Sequence, residues 1–181
     1  MIEQRNGLDF KWPREFDPSL EKVFDYGLFY LVAKPIRKNK PERDLSALAP
    51  RTPELQNILG PIRDVYKMCV DPGGTAGFHY HDRKIELIYP LGDLFVFFHE
   101  ITTGKQIGLK IPERVGDTCF GVLVKHGVAH TLRNPSQTDY AFYIVLSNMF
   151  EEEAERFHDI KMFDYNLPPV QSLELLLTPF K

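Results

Sequence analysis

Short apolar segments separated by turn signals, at near-even spacing from residue 61 to residue 148, limit this chain to few folds. One segment ends at Asp71-Pro72-Gly73-Gly74, and Gly92-Asp93 stands between two others as in a tight hairpin. Many short strands at such spacing are typical of a sandwich or a closed barrel rather than of alternating helices and strands. The sequence therefore predicts an all-β protein, with strands at 65–70, 78–81, 86–91, 94–101, 106–111, 118–124, 129–134 and 140–147.

Four side chains in this region have the pattern of a metal site: His79, His81, Glu86 and His130. Residues i and i+2 of a strand point the same way, so the two paired histidines project into the barrel while Tyr80 faces outward. A turn brings back Glu86, and His130 comes from a distant strand. Three imidazoles and one carboxylate suit a divalent Zn, Fe, Mn or Ni ion with a position left open. The alternative is a set of hydrogen-bonded histidines without metal.

The glycines around these residues carry a resemblance to a known fold. Gly73 lies upstream of the histidine pair, Gly92 follows the glutamate, and 127–130 (GVAH) leads on to Asn134. This arrangement resembles the two motifs of the cupin superfamily, although Lys125 stands where a proline is usual. The resemblance implies a double-stranded β-helix, or jelly-roll barrel, with a site in its mouth.

Residues 77–86 (GFHYHDRKIE) and 147–150 (SNMF) narrow the resemblance. They are similar to the dTDP-4-dehydrorhamnose 3,5-epimerases and the sugar-nucleotide ketoisomerases, and to the cupin half of bifunctional capsule-sugar enzymes. This branch implies an epimerase or isomerase of carbohydrate biosynthesis. It would abstract a proton next to the carbonyl of a nucleotide-linked keto sugar, with or without help from a metal.

The same resemblance implies four catalytic positions: His79 as base, Lys84 beside the enolate, Glu100 as a nearby acid, and Tyr143 as the residue that returns the proton. Two departures weaken a strict match, because the epimerases have glutamine at the position of His81 and arginine at the position of Ala76. They also bind no metal for catalysis. Since His79 cannot be both a metal ligand and a free base, these two roles compete.

Two other functions are compatible with a cupin barrel. One is a dioxygenase in which Fe²⁺ on the four ligands opens a small organic substrate. The other is a non-catalytic protein that binds a sugar or metabolite. Bound iron with oxygen consumption would favour the first of these alternatives.

The flanks differ from the central region. Residues 1–60 are predicted to form an arm packed on the barrel, with a strand near 27–33 and a helical turn near 52–59 that begins at Pro53. Residues 61–148 form the barrel. Residues 149–181 contain a helix at 149–161, capped by Asn148, and a leucine-rich tail, all within one domain.

Charge and composition limit the partners. The net charge of −3 argues against nucleic-acid binding, and the basic stretch 34–43 is interpreted as an exposed loop or arm. No export signal or membrane span is evident, so we expect a cytoplasmic protein with a small-molecule substrate. Cys69 and Cys119 are expected to be buried, reduced thiols. Cupin barrels often share edges across a two-fold axis, so a homodimer is expected.

Overall fold

The all-β prediction is confirmed by the computed structural model, which describes residues 2–4, 21–40, 43–45 and 48–172. The strands before the barrel motifs are β1 (Ile2–Gln4), β2 (Lys22–Asp25), β3 (Phe29–Pro35), β4 (Arg37–Lys40) and β5 (Arg43–Leu45), followed by helix α1 (Pro53–Leu59). The central strands are β6 (Asp64–Val70), β7 (Thr75–His81), β8 (Glu86–Leu91), β9 (Leu94–Glu100), β10 (Gln106–Ile111), β11 (Arg114–Val115), β12 (Thr118–Val124), β13 (Val128–Arg133) and β14 (Ala141–Ser147). Helix α2 (Glu151–Arg156), β15 (Ile160–Met162) and β16 (Val170–Ser172) follow.

Two sheets form the barrel. In the described residues, the larger sheet has the order β1-β2-β3-β12-β8-β14-β6, with β11 on β12, and the smaller has the order β15-β7-β13-β9-β10-β16. Buried side chains from both sheets pack together between them, and the rings of Phe29 and Phe98 stack with centroids 4.4 Å apart. This is the predicted jelly-roll architecture, in which the inward faces of two sheets bury one core.

The N-terminal region is joined to the barrel by hydrogen bonds and is not merely packed against it. Strand β3 pairs with β12 from Phe29↔Val124 to Pro35↔Thr118, so residues 29–35 are a central part of the larger sheet. Both faces of β3 are covered, and Leu31, Val32 and Ala33 are completely buried. A strand buried on both faces is an almost continuous apolar run, which explains why its sequence lacks alternation.

The interpretation of residues 34–43 as an exposed loop is wrong at its first residue, because Lys34 is buried at the end of β3. Its ammonium group lies 2.8 Å from the Glu21 carboxylate and donates to the carbonyl oxygens of Leu48 and Ala49. Glu21 in turn accepts hydrogen bonds from Thr52, the N-cap of α1. Burial opposes the charge on Glu21, but these partners outweigh it and lower the pKa of the carboxyl.

The C-terminal helix is present but shorter than predicted, and Asn148 does not cap it. Asn148 instead accepts a hydrogen bond from the Ile85 N–H, and Phe150 occupies the N-cap position. His158 has a left-handed φ of 52°, which ends the helical course, and β15 then pairs with β7. Strand β16 pairs with β10, so the C-terminal segment covers an edge of the smaller sheet up to residue 172. The predicted leucine cluster at 173–177 lies outside the described residues.

Two further expectations concern the cysteines and a membrane span. Cys119 is buried as predicted, but Cys69 is exposed because it lies on the outer face of the edge strand β6. Neither helix of the described chain is long and apolar enough to cross a membrane.

The buried ion pair between Lys34 and Glu21 leads to a stability prediction. Lys34→Met should lower the free energy of unfolding by about 3–5 kcal/mol, because Glu21 is left as an uncompensated buried charge. Urea unfolding followed by circular dichroism measures this. Lys161→Met is the matched control, because Lys161 is 40% exposed and 3.9 Å from its partner Asp82. The control should change stability by less than about 1 kcal/mol. Equal effects of the two substitutions would contradict the prediction.

Candidate metal centre

The site begins with a β-bulge where β7 meets β13. The register of the two strands shifts between His130 and Thr131, and Phe78 is the extra residue on β7. Gly77 has a φ of 105°, and a Cβ there would lie 2.6 Å from the carbonyl oxygen of His130. Only glycine permits this backbone approach. The N–H of Phe78 donates to the Thr131 hydroxyl, so the irregular backbone remains satisfied.

The bulge places His79 directly opposite His130. His79 and His81 point into the barrel, while Phe78 and Tyr80 pack in an aromatic cluster on the outer face of the smaller sheet. The imidazole of His79 contacts those of His81 and His130, with ring centroids 4.8 and 4.6 Å away. The alternation predicted from the sequence is therefore realised in the structure.

Glu86, the first residue of β8, completes the group. Its Oε2 lies 3.1 Å from Nε2 of His130 and 3.6 Å from Nε2 of His81. One ligand atom from each of the four predicted residues lies within 4.8 Å of all the others. The structure thus brings together the complete set that the sequence predicted.

A second layer of charge surrounds Glu86. Its Oε1 accepts from the Tyr66 hydroxyl at 2.7 Å and lies 2.8 Å from Nζ of Lys84. Lys84 also donates to Tyr66 and pairs with Glu151, the first residue of α2. Burial opposes the charge on Lys84, but Glu86 and Glu151 outweigh it and raise its pKa. Lys84 therefore remains an ammonium ion that faces two carboxylates.

The charge states of the ligands follow from their surroundings. Burial, and then the neighbouring His130, lower the pKa of His79 to about 3, so its imidazole is neutral near pH 7. Burial opposes the charge on Glu86, but the imidazoles of His130 and His81 outweigh it and keep the pKa of its carboxyl well below the usual range. A neutral imidazole and an ionised carboxylate, as found here for His79 and Glu86, are the forms that bind a metal.

The residues present fit a divalent metal ion. Both ring nitrogens of His81 and Nδ1 of His130 are buried without a hydrogen-bond partner in the described chain. Buried polar atoms without partners are costly, and metal coordination would satisfy such a nitrogen. The carboxylates of Glu86 and Glu151 also exceed the single charge of Lys84. A cation at the four-residue cluster would offset this excess.

A cavity of about 210 Å³ opens onto the cluster. His79, Glu86 and His130 line one part of it, and Tyr143 of β14 lines another, while Met68, Ile88, Leu132 and Val145 supply apolar wall. Burial, followed by Glu86 and Glu151, raises the pKa of Tyr143, so its hydroxyl is protonated near pH 7. The cavity can therefore hold a small ligand between a metal site and a proton donor.

The remaining predicted site residues lie elsewhere. Lys84 is behind Glu86 and does not line the cavity, so its contact with an enolate is not supported by its position. Glu100 lies at the end of β9, outside the cavity lining, and accepts a hydrogen bond from Thr103 in the following turn. His126 is exposed in the loop before β13.

Sequence reasoning missed three residues around the cluster: Tyr66, Glu151 and Asp159. Tyr66 could have been found, because it alternates with Met68 and Val70 on the inward face of β6. The predicted helix at 149–161 contains both Glu151 and Asp159. No local signal places their carboxylates at the site, because the chain must first fold back over the turn between β7 and β8.

A two-sheet barrel with a buried cluster of three histidines and one glutamate defines the chain as a protein of the cupin fold with a candidate metal centre. Solved structures give the same fold. The dTDP-4-dehydrorhamnose 3,5-epimerase of Sulfolobus tokodaii has a TM-score of 0.61 at 12% identity, over 87% of this chain and 92% of that one. NovW, a 4-keto-6-deoxy sugar epimerase from the novobiocin biosynthetic gene cluster of Streptomyces spheroides, has a TM-score of 0.58 at 12% identity, over 76% and 73%.

The comparison of sequences covers a smaller part of the chain than the comparison of structures. The oxalate-binding protein of Thermotoga maritima is 30% identical over 80 residues, which are 44% of this chain and 58% of that protein. The chain thus spans less than two thirds of the length of this curated relative. No family model matches the chain.

Metal content tests the cluster. His130→Gln should abolish stoichiometric binding, because it removes a buried imidazole from the centre of the ligand set. The measurement is elemental analysis of the purified protein after incubation with Zn²⁺ and gel filtration. His126→Gln is the control, since that histidine is exposed, and it should keep the metal content of the unaltered protein. Metal retained in the His130 variant would exclude the predicted ligand set.

Proposed function

We propose that this chain is a metal-assisted epimerase or isomerase that acts on a keto sugar linked to a nucleotide. The observation that carries the proposal is one small cavity lined by Tyr143 and by three residues of the four-residue cluster, His79, Glu86 and His130. Proton removal next to a carbonyl needs a proton acceptor, charge stabilisation at the oxygen and a proton donor. The cavity offers a residue for each requirement.

His79, His81, Glu86 and His130 would hold the metal. When bound, a divalent ion supplies Lewis-acid stabilisation of the negative charge on a carbonyl oxygen, which is worth several kcal/mol. The two competing roles of His79, metal ligand and general base, can then be distinguished. A group with a pKa of about 3 is a weak base at neutral pH, and a neutral buried imidazole is a good ligand. We therefore assign His79 to the metal.

Proton transfer falls to two other residues that line the cavity. The Glu151 carboxylate accepts the proton from the carbon next to the carbonyl, and the C–H electron pair forms the enolate. The Tyr143 hydroxyl returns a proton to that carbon, and solvent restores both side chains. Because the residue that returns the proton differs from the residue that removes it, the configuration at that carbon can be inverted. Lys84 supports the reaction indirectly, since its ammonium group holds Glu86 and Glu151 together.

The size of the cavity supports a substrate that enters only in part. Pockets that enclose drug-sized ligands measure about 300–1,000 Å³, and this one measures about 210 Å³. A sugar ring would occupy the cavity while its nucleotide carrier lies outside. The structures of the Sulfolobus epimerase and NovW support this substrate class through fold likeness alone.

A second candidate is favoured by the curated relative, whose name gives oxalate as its ligand. In this alternative the metal centre binds a small dicarboxylate without catalysis, or uses iron to oxidise a small organic substrate. Binding of oxalate together with no reaction of any keto sugar would favour the binder. Oxygen consumption by the iron-loaded protein would favour the dioxygenase.

We also propose that the chain works as a single domain and as a cytoplasmic homodimer. Strand β3 in the larger sheet and β15 in the smaller sheet tie both flanks to the barrel, which supports one folding unit. The edge strand β6 is exposed, with Val65 62% accessible, which supports an interface there.

Substitution of Tyr143 tests the proton donor. Tyr143→Phe should lower formation of the inverted sugar by about 10²–10⁴-fold, because the variant lacks the hydroxyl that returns the proton. The assay follows a dTDP-linked 4-keto-6-deoxy sugar in D₂O by proton NMR. Tyr140→Phe is the control because that side chain is 59% exposed, and it should react at the unaltered rate. An active Tyr143→Phe protein would remove this residue from the mechanism.

Substitution of Glu151 tests the acceptor. Glu151→Gln should reduce solvent deuterium exchange at the carbon next to the carbonyl by about 10²-fold or more, with the metal still bound. Glu152→Gln, an adjacent and exposed position on α2, should leave exchange unchanged. Exchange at the normal rate in the Glu151 variant would show that another group takes the proton.

A further inference from the structure

Asp159 is a buried carboxylate at the end of the segment that follows α2. The helix stops at Arg156, and His158 adopts the left-handed conformation that turns the chain inward. The Asp159 N–H donates to the carbonyl of Ala154, and β15 begins at the next residue. The side chain is only 1% exposed, so its charge lies inside the protein.

The Asp159 carboxylate is fixed by the turn between β7 and β8. Oδ1 accepts from the Arg83 N–H at 2.9 Å, and Oδ2 accepts from the Lys84 N–H at 3.0 Å. The guanidinium of Arg83 lies 3.6 Å from Oδ1. Two backbone donors from adjacent residues hold the plane of the carboxylate and leave Oδ2 facing the imidazole of His81, with its Nδ1 at 3.5 Å.

The His81 ring thus lies between two carboxylates. Nδ1 faces Asp159, and Nε2 faces Glu86 at 3.6 Å. Both contacts are too long or too poorly aligned to be hydrogen bonds, and neither nitrogen has a hydrogen-bond partner among the residues that the structure describes. A neutral imidazole has one N–H and one lone pair, so the position of the proton decides which nitrogen can bind a metal. Asp159 lies outside the four-residue ligand set, whereas Glu86 belongs to it.

We propose that Asp159 is a positioning residue that holds the proton of His81 on Nδ1 and directs the Nε2 lone pair toward Glu86. Metal-binding histidines commonly donate their second N–H to a carboxylate, which fixes the tautomer and the ring orientation. The inference rests on the metal centre proposed above. Metal affinity then depends also on Asp159, a residue outside the barrel motifs.

The strand pairing beside Asp159 adds a second link between the C-terminal segment and the site. Ile160 of β15 is the register partner of His81, and Met162 is the partner of His79. The backbone that carries both histidine ligands is therefore held by the segment that supplies Asp159. The site is complete only when residues 159–162 are docked on β7.

The first experiment determines the tautomer of His81 in the metal-free protein by long-range ¹H–¹⁵N NMR. His81→Gln assigns the signal by its loss. The result expected is a proton on Nδ1 in the unaltered protein and a decrease of that form in Asp159→Asn. A proton on Nε2 in the unaltered protein would overturn the proposal without reference to any variant. This readout needs no bound metal, so it remains valid if the metal centre itself is wrong.

The second experiment measures Zn²⁺ affinity by competition with a chromophoric chelator. Asp159→Asn should weaken binding by about 10–100-fold, the usual effect of removing a partner of a ligand histidine. Asp82→Asn is the matched control, because it makes the same change at a carboxylate that is 57% exposed, in the turn whose backbone binds Asp159, and affinity should stay within about twofold. Unchanged affinity and tautomer in a folded Asp159→Asn protein would show that Asp159 serves structure alone. No Zn²⁺ binding by the unaltered protein would instead reject the metal centre.

Discussion

The close approach of two backbones at Gly77 is the constraint on which the site depends. A Cβ at this position would lie 2.6 Å from the carbonyl oxygen of His130, so any other residue would push β7 away from β13. Separation of these strands would move His79 away from His130, and the four residues of the cluster would no longer lie close together. The bulge at Phe78 is thus a functional irregularity, and its backbone groups are satisfied by Thr131 and Phe163.

Charged side chains surround the cavity beside this bulge. Glu86 is ionised inside the barrel because the imidazoles of His130 and His81 outweigh the cost of burial. Tyr66 and Lys84 contact its other carboxylate oxygen. Lys84 has a further partner in Glu151, so the ammonium group belongs to a network of charges. Fixed charges around a small cavity stabilise charge that develops on the substrate at little energetic cost, because they do not need to reorient during the reaction.

Part of this organisation follows from local sequence. The spacing of apolar segments and turns predicted the strands of the barrel, since alternation with period two is a property of the strand itself. The pairing of His79 with His81 on one face follows from the same alternation. The convergence of Glu86 and His130 was predicted through resemblance to cupin motifs, and the structure confirms it. The roles of these residues in catalysis remain predictions.

The sequence by itself determined the all-β class, the ligand types and the inward face of β7, because each depends on residues close together in the chain. Only the tertiary structure decided that Lys84 lies behind Glu86, that Glu100 lies outside the cavity, and that Lys34 is buried. It also decided the positions of Tyr66, Glu151 and Asp159. Their contacts arise from strand order and from the fold-back after α2, and no local periodicity encodes interactions between segments that are distant along the chain.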